Sequence, residues 1–321
     1  MDSPDISVII PVFNSGSYIR RCARSLFSQT LRNIEYIFID DCSTDESISI
    51  LREVIDEYPD RRHSVKVIRN DSNIGVGQSR QKGIDMASGR FVIHCDSDDV
   101  VDADMYETMF CAALENDADV VVCGYKVVSE SGSVEISQNP AFDRKTLFHQ
   151  LATESLHSSF CLKMIAAPLA KSVSIEPGIN HWEDFSVTPV LMLKAHRIVS
   201  LDSCPYHYYM TSAISISRAG STHNVISSIR AAESLARRIS SHSLAEYIDM
   251  VDLYRIQWSA KKGLLLEPNK ENIQLWNHTF PESNLHYREI GLSRKFQLLT
   301  WLAMHKQIWL LKLYRKMKML K

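Results

Sequence analysis

Short apolar runs alternate with longer amphipathic segments through the first half of this chain, and no other feature restricts the fold as strongly. Segments of helical periodicity separate the apolar runs, an alternation typical of a parallel sheet covered by helices. The predicted strands are Ile6–Ile10, Glu35–Ile39, Val65–Arg69, Phe91–Cys95 and Val120–Gly124. The predicted helices are Tyr18–Ser28, Thr44–Tyr58, Gly77–Ala87 and Ala103–Glu115. The sequence therefore predicts an α/β fold with a Rossmann-like, mostly parallel sheet.

The chain of 321 residues is longer than one average domain. A hairpin is expected at Ser131–Gly132, and from about His223 the apolar residues follow helical spacing only. We therefore expect an α/β domain over residues 1–217, with halves at 1–125 and 126–217. An all-helical extension is expected over residues 218–321.

The cysteines and the hydropathy of the chain indicate the cellular compartment of the protein. The seven cysteines are scattered, odd in number and without a CxxC pair, which indicates neither a disulfide framework nor a zinc site. The first apolar run is short and follows Asp2 and Asp5, unlike a secretory signal. No stretch reaches the roughly 20 apolar residues that a membrane span needs. We expect reduced thiols and a cytoplasmic protein.

Polar clusters follow four of the predicted strands. In open α/β sheets ligands bind beyond the carboxyl ends of the strands, where such clusters converge. The clusters are Pro11-Val12-Phe13-Asn14, Asp40-Asp41-Cys42-Ser43, Asn73-Ile74-Gly75 and Asp96-Ser97-Asp98-Asp99. The carboxyl edge of the sheet is therefore the candidate site.

Three carboxylates on one turn, from Asp96, Asp98 and Asp99, favour a bound cation. Mg²⁺ and Mn²⁺ take hard oxygen ligands, keep positions for substrate phosphates and neutralise the charge of a departing diphosphate. The alternative is an acidic helix N-terminus, in which Asp98 and Asp99 only cap the following helix.

Asp40 and Asp41 offer a second pair of carboxylates, suited to a base N–H or a ribose hydroxyl. N-capping is the alternative, since Ser43 and Glu46 have the spacing of a capping box. Capping leaves the two aspartates unexplained, because adjacent carboxylates at a sheet edge are costly unless solvated or liganded.

Together these motifs resemble the family 2 glycosyltransferases of the GT-A fold. The resemblance rests on five ordered motifs and covers residues 5–125 strongly and 160–217 weakly. The motifs are Ser7–Asn14, Ile39–Asp45, Asn73–Gly75, Gly83 with Ala87–Gly89, and Asp96–Asp99. Cys42 departs from the small Gly or Asn common in the family and affects only the shape of the base pocket.

The resemblance implies an inverting transferase with a nucleotide-diphospho-sugar donor, most often a UDP-sugar, and Mn²⁺ or Mg²⁺ as cofactor. Pro11, Phe13 and Asp41 would hold the base. Asp96 and Asp98 would form the DxD motif, with Asp98 as the most direct metal ligand and Asp99 as a further metal, water or acceptor contact. The residues expected to bind the nucleotide sugar are Pro11, Val12, Phe13, Asn14, Asp40, Asp41, Asn73, Gly75, Arg80, Asp96, Ser97 and Asp98. For Arg80 the alternative is a solvated surface group.

Inversion needs a base on the acceptor side, opposite the leaving diphosphate. His181-Trp182-Glu183-Asp184 precedes a helical run and is similar to the Glu-Asp pair of the family. We expect Asp184 to be the base and Glu183 to position it or to contact the sugar; alternatively both acids stabilise a helix start. Trp182 would stack on a sugar ring or serve as a buried aromatic anchor.

Tyr206–Tyr209 and Ser215–Arg218 resemble the polar end of the family's catalytic domain. His207 is a predicted metal ligand or diphosphate contact there, and Arg218 a diphosphate contact. The alternative for His207 is a packed, hydrogen-bonded side chain in an aromatic strand.

The last 28 residues, from Arg294, hold eight Lys or Arg and no Asp or Glu, which leaves a net charge of −10 for the rest of the chain. From Leu298 to Leu320 apolar residues are predicted on one side of a single helix: Leu298, Leu302, Trp309, Leu313, Met317 and Leu320. Such a helix suits an anionic membrane surface, here the inner face of the cytoplasmic membrane. The alternative is packing on the extension, and no nucleic-acid partner is expected.

The function predicted from the sequence is an inverting glycosyltransferase that acts on a glycan or lipid-linked sugar in polysaccharide, capsule or glycolipid synthesis. A sugar-phosphate nucleotidyltransferase also needs paired carboxylates and a metal, but the chain lacks a Gly-rich basic loop after the first strand. A non-catalytic sugar-nucleotide-binding protein is the third alternative. The donor sugar, the acceptor, the linkage and the oligomeric state are not predicted.

Overall fold

A computed structural model describes residues 3–210 and 222–319 of the chain. The strands in this part are β1 (Ile6–Val12), β2 (Ile34–Asp40), β3 (Val65–Arg69), β4 (Phe91–His94), β5 (Val100–Val101), β6 (Val120–Val122), β7 (Tyr125–Ser129), β8 (Gly132–Ile136), β9 (Lys163–Ala166), β10 (Ile198–Ser200) and β11 (Tyr206–Tyr209). The helices are α1 (Ile19–Phe27), α2 (Ser47–Glu57), α3 (Val76–Met86), α4 (Met105–Glu115), α5 (Arg144–Ala152), α6 (Ala167–Ala170), α7 (Thr188–Lys194), α8 (Thr222–Ser241), α9 (Met250–Lys261), α10 (Gly263–Leu266), α11 (Lys270–His278), α12 (Pro281–Leu285), α13 (Arg294–Met304) and α14 (Ile308–Met319).

The main sheet has seven strands in the order β10-β6-β9-β4-β1-β2-β3. All neighbours are parallel except β9, which runs antiparallel to both β4 and β6. Every residue of β1 and β2 is buried, as expected for strands covered by helices on both faces. The five predicted strands all belong to this sheet, and the predicted α/β fold is confirmed.

A second sheet, in the order β5-β11-β7-β8, lies beyond the ends of β4 and β6. β11 runs parallel to β7 and antiparallel to β5. The predicted hairpin is present, with β7 and β8 paired antiparallel and joined at Ser129–Gly132. This small sheet brings β11 next to the acidic loop that follows β4.

The described residues after Thr222 form helices and connecting turns, as predicted. α8 and α9 pack on the α/β domain, because Leu235 and Ile256 lie in one core with Leu151 of α5 and Leu191 of α7. A separate core inside the helical region includes Trp258 and its neighbours from α11 and α13. The domain boundary expected at residue 217, and the motif Ser215–Arg218, lie outside the described residues, and the division at residue 217 stays a prediction.

The basic C-terminal segment is two helices, so the expected single helix from Leu298 is wrong. α13 ends at Met304 and α14 begins at Ile308, with Lys306 in the left-handed region at φ 53°. The break places Leu302 in the core, whereas Trp309 stays 65% exposed. Leu320 lies outside the described residues. No helix in the described ranges has the length and apolar character to cross a membrane.

Glu35 is a buried carboxylate that joins three segments at the sheet edge opposite the acidic loop. Ser7 Oγ donates to its Oε2 at 2.6 Å, and Ser88 donates through both N (3.0 Å) and Oγ (2.9 Å). Lys66 forms an ion pair with its Oε1. Burial acts to raise the pKa of Glu35, but the hydrogen bonds from Lys66, Ser7 and Ser88 outweigh it, so the pKa lies below its usual value.

Replacing Glu35 with Gln should lower the free energy of unfolding by about 1–3 kcal/mol at neutral pH, because buried donors lose a charged acceptor. The folded-state pKa of Glu35 lies below its unfolded value of 4.5. The stabilisation is therefore present above pH 4.5 and is lost as the pH falls through the folded-state pKa. Urea unfolding of both proteins from neutral to acidic pH should show the difference shrinking, with exposed Glu115→Gln as the control. A difference that is constant with pH would contradict this account.

Candidate active site

The loops after β1, β2 and β4 are joined by side-chain hydrogen bonds at the carboxyl edge of the sheet. Asn14, at φ 48°, donates its N–H to Ser43 Oγ at 3.2 Å and accepts the N–H of Thr44 on Oδ1 at 2.9 Å. Ser15 Oγ and Ser97 Oγ lie 2.6 Å apart. Three of the predicted polar clusters therefore lie together, as the strand order requires.

The predicted capping box of α2 is wrong. Ser43 Oγ accepts from Asn14 instead, and α2 begins at Ser47, with Glu46 making no side-chain cap. Asp45 takes over the cap by accepting the N–H of Ser47 at 3.0 Å. The tie between the loops after β1 and β2 thus replaces the local helix cap that the spacing suggested.

Asp41 is 3% exposed and holds the predicted Asn73–Gly75 cluster in place. Its Oδ1 accepts from Asn70 Nδ2 at 2.9 Å and from the N–H of Ile74 at 2.8 Å, and its Oδ2 accepts the N–H of Gly75 at 2.8 Å. Asn73 itself is exposed. Asp41 therefore shapes the loop that forms one wall of the site.

Asp40 is also buried and paired. Its Oδ1 accepts the N–H of Ser43 at 2.8 Å, and its Oδ2 accepts from Arg69 at 2.8 Å. Two adjacent carboxylates were expected to need solvent or a ligand, but Arg69 and the backbone satisfy Asp40 inside the protein. The burial of Asp40 and Asp41 is accordingly no sign of a bound nucleotide.

Phe13 is the exposed member of the cluster after β1. Its side chain is 46% exposed, whereas Pro11 and Val12 are buried in the sheet. An exposed aromatic ring beside polar loops offers a stacking surface. The side chains of Pro11 and Val12 are therefore not exposed beside it.

Asp96 and Asp98 are partly exposed, while Ser97 and Asp99 between and after them are buried. Burial raises the pKa of Asp98 to about 6, with the negative charge of Asp96 adding to the rise, while Arg21 and Arg80 oppose it. Two carboxylates of like charge this close favour a cation between them.

Asp99 is held by hydrogen bonds from β11, and its expected part in metal or acceptor binding stays a prediction. Tyr206 Oη donates to its Oδ2 at 2.6 Å, and the N–H of Tyr209 donates to its Oδ1 at 2.9 Å. Burial, followed by the charges of Asp96 and Asp98, raises the pKa of Asp99 to about 8. With both oxygens in use and 1% of the residue exposed, Asp99 attaches β11 to the acidic loop.

His207 does not join Asp96 and Asp98, so its expected role as a metal ligand has no support in the structure. Successive side chains of a strand point to opposite faces, and Tyr206 takes the face toward Asp99. His207 Nε2 lies 2.8 Å from Asp102 Oδ1 instead. This contact agrees with the alternative that His207 is a packed, hydrogen-bonded side chain in an aromatic strand.

Arg80 of α3 connects the two halves of the site. It is 5% exposed, its Nη1 donates to Glu183 Oε1 at 2.7 Å, and its Nη2 forms an ion pair with Asp96 Oδ1. Burial acts to lower the pKa of Arg80, but Asp96 and Glu183 outweigh it and raise the pKa well above its usual value. The alternative of a solvated surface arginine is therefore wrong.

The predicted acceptor-side residues lie in a turn that precedes α7. Glu183 is buried, which raises its pKa to about 7, with Arg80 opposing the rise and Asp184 adding to it. Asp184 is partly exposed, and its Oδ1 accepts the N–H of Phe185 at 2.7 Å. The Trp182 ring packs 5.0 Å from the Phe185 ring, which favours the aromatic anchor.

Two basic side chains near Asp184, Lys163 and His157, were missed by sequence reasoning, and His181 was noted only as part of its motif. Lys163 is fully buried in β9, and burial lowers its pKa to about 8 while Asp184 opposes the shift. Burial also lowers the pKa of His157 and of His181, again against the charge of Asp184. The one signal available was a lysine inside the apolar run of β9, since buried lysines are rare without partners.

A divalent cation fits Asp96 and Asp98 as a site completed by substrate. Throughout residues 3–210 and 222–319, no group of three or more His, Cys, Asp or Glu side chains is arranged to hold a metal. Mg²⁺ in nucleotide-binding enzymes commonly takes one or two carboxylates and completes its shell with phosphates and water. Two partly exposed carboxylates match that donor set.

Comparison with known proteins gives consistent results. The model of the family described as Glycosyl transferase family 2 matches residues 7–173. Glycosyltransferase GlyG of Streptococcus pneumoniae is 37% identical over 126 residues, 39% of this chain and 40% of that protein. The cholesterol galactosyltransferase of Borreliella burgdorferi is 24% identical over 294 residues, 84% of this chain and 81% of that protein. For GlyG and two further curated relatives, the matched part spans 30 to 40% of the relative's length.

The fold resembles that of residues 1–349 of S. aureus TarS, whose crystal structure contains UDP-GlcNAc. The TM-score is 0.70 at 22% identity, over 95% of this chain and 88% of that one. Because the family match covers more than half of the chain and includes β1, the acidic loop and Arg80, the chain belongs to glycosyl transferase family 2.

Proposed function

We propose that this chain is an inverting glycosyltransferase that moves a sugar from a nucleotide-diphospho-sugar, of the UDP-sugar type, to an acceptor hydroxyl. The observation that carries the proposal is the buried Arg80 guanidinium between Asp96 and Glu183. It joins a carboxylate pair suited to a diphosphate-bound cation with the turn that bears Asp184. Arg80 thus fixes the proposed donor-side carboxylates relative to the proposed acceptor-side turn.

On the donor side, the exposed Phe13 ring is proposed to stack on the nucleotide base, beside the loop held by Asp41. Asp96 and Asp98 are proposed to hold Mn²⁺ or Mg²⁺ together with the donor diphosphate. A divalent ion in that position neutralises the charge that develops on the leaving diphosphate.

On the acceptor side, Asp184 is proposed to take the proton of the acceptor hydroxyl. Its carboxylate is partly exposed, whereas Glu183 beside it is buried and engaged by Arg80. Glu183 is therefore proposed to fix the turn rather than to transfer a proton. The transition state is expected to resemble an oxocarbenium ion, as in glycoside hydrolysis.

The geometry after β1 disfavours a nucleotidyltransferase. A phosphate-binding loop presents free backbone N–H groups to the ligand. Here the N–H groups of Ser15 and Gly16 donate to Ser47 Oγ at 2.7 Å and to Asp45 Oδ2 at 2.9 Å. These donors are occupied within the protein, and the family match also favours transfer of a sugar.

Asp98→Asn should remove metal-dependent donor binding. Calorimetry with Mn²⁺ and a panel of UDP- and GDP-sugars should identify a donor whose affinity falls when EDTA replaces the metal. Asparagine lacks the charge that the cation needs, so we expect the affinity in Mn²⁺ to fall by about 10-fold or more. Exposed Asp104→Asn on the same segment is the matched control. Unchanged affinity in Asp98→Asn would refute the metal assignment, and release of pyrophosphate from a nucleoside triphosphate would favour a nucleotidyltransferase.

Asp184→Asn should retain donor binding and lose turnover. General base catalysis contributes about 10²- to 10⁴-fold, so release of nucleoside diphosphate should slow by that factor. The measurement is the kcat for nucleoside diphosphate release, paired with calorimetry of the same donor. Exposed Asp85→Asn serves as control. If Asp184→Asn turned over at the wild-type rate, another group would have to be the base.

We also propose that α14 contacts an anionic membrane surface, which would bring the site to a lipid-linked acceptor. The side chains of Trp309, Leu313 and Met317 recur at a spacing of four and are 65%, 48% and 56% exposed. Lys312 and Lys316 lie beside them. Aromatic and aliphatic side chains flanked by cations are the pattern of helices that lie at the membrane interface.

The double substitution Trp309→Ser, Leu313→Ser should weaken vesicle binding by at least about 10-fold, since the apolar area that enters the membrane is lost. Vesicle binding is measured by flotation with phosphatidylcholine vesicles, with and without phosphatidylglycerol. Binding should require the anionic lipid and weaken in high salt. Val134→Ser, which replaces a 64% exposed apolar side chain on β8 with a polar one, is the control. Equal binding of the double variant and the wild type would exclude this surface.

A further inference from the structure

Ser227 of α8 holds the backbone of the segment that leads into the acceptor-side turn. Its hydroxyl accepts the N–H of Asn180 at 2.9 Å and the N–H of His181 at 2.9 Å, and it donates to the carbonyl of His181 at 3.1 Å. A serine hydroxyl has one donor and two acceptor positions, so all three are used. Ser227 is 3% exposed.

The segment needs such an anchor because its backbone is unusual. Gly178 and Trp182 lie in the left-handed region at φ 80° and φ 66°, which for a tryptophan is unfavourable without outside support. On the opposite side the segment touches α3, where a Cβ on Gly77 would lie 2.2 Å from the carbonyl oxygen of Ile179. Residues 178–182 are thus clamped between α3 and α8.

The turn beyond the clamp is fixed by its own hydrogen bonds. The carbonyl of Trp182 accepts the N–H of Ser186 at 2.9 Å, and the carbonyl of Asp184 accepts the N–H of Thr188 at 2.8 Å. Because these hydrogen bonds close the turn on itself, its placement depends on the contacts that hold it. Glu183 is held by Arg80, and Ser227 holds the entry.

We infer that Ser227 is a positioning residue for Asp184, so that the first helix of the C-terminal region completes the catalytic site. The inference rests on the proposed function, in which Asp184 is the base. Ser227 touches neither donor nor acceptor in this role. It acts through the backbone of Asn180 and His181, whose N–H groups have this hydroxyl as their acceptor.

The test compares Ser227→Ala with Ser228→Ala, a matched pair on one helix. Ser228 is 5% exposed, and within the described residues its Oγ donates to the carbonyl of Asn224 in the same helix, at 3.0 Å. A displaced base slows turnover without changing donor contacts. We therefore expect Ser227→Ala to lower kcat by about 10- to 100-fold, with donor affinity by calorimetry unchanged and Ser228→Ala close to wild type. Ser227→Thr, which keeps the hydroxyl, should recover most of the loss.

Amide hydrogen exchange tests the anchoring of the turn directly and needs neither substrate nor turnover. In Ser227→Ala the amides of peptide 178–184 should exchange faster, while peptides from β1 and α3 stay protected. Equal kcat and equal exchange in the two alanine variants would overturn the inference, as would a loss of protection across the whole chain. If the wild type itself showed no nucleotide-sugar turnover, the proposed function would fail, and the exchange result would still decide whether Ser227 anchors the turn.

Discussion

The buried ion pairs of Arg80 are the interaction on which the site depends. A guanidinium taken out of water needs compensating charge, and removing one partner of such a pair typically costs about 3–5 kcal/mol. Asp96 and Glu183 provide that charge from opposite sides. Arg80 reaches both because α3 lies close against the sheet, where a Cβ on Gly83 would be 2.3 Å from the Ile9 side chain. The fit between α3 and β1 therefore helps to set how far apart Asp96 and Glu183 lie.

Local periodicity explains why so much of the fold could be predicted. The strands around Ile6–Val12 and Phe91–His94 are short apolar runs, and helices such as Ser47–Glu57 have their own apolar spacing. The order of strand and helix then placed the acidic loop of Asp96 at the carboxyl edge. β9 escaped prediction because it is an antiparallel strand, with a buried lysine, inside an otherwise parallel sheet.

Partners distant in sequence explain what could not be predicted. Asp99 meets Tyr206, 107 positions along the chain, so no local pattern showed that its carboxylate was already in use. Ser43 had the right spacing for a helix cap, yet the loop of Asn14 took its hydroxyl. The break at Lys306 was hidden because apolar spacing continues across it, and only the left-handed backbone there turns the chain.

The place of α8 in the chain has a consequence for biosynthesis. The nucleotide-facing loops end before residue 100, whereas the hydroxyl that anchors the turn of Asp184 belongs to Ser227. During translation from the N-terminus, strands β1 to β4 and the acidic loop emerge from the ribosome well before that serine does. In the proposed mechanism an unfinished polypeptide would thus have its nucleotide-facing loops before the turn of Asp184 was anchored. Incomplete chains would therefore lack a positioned base.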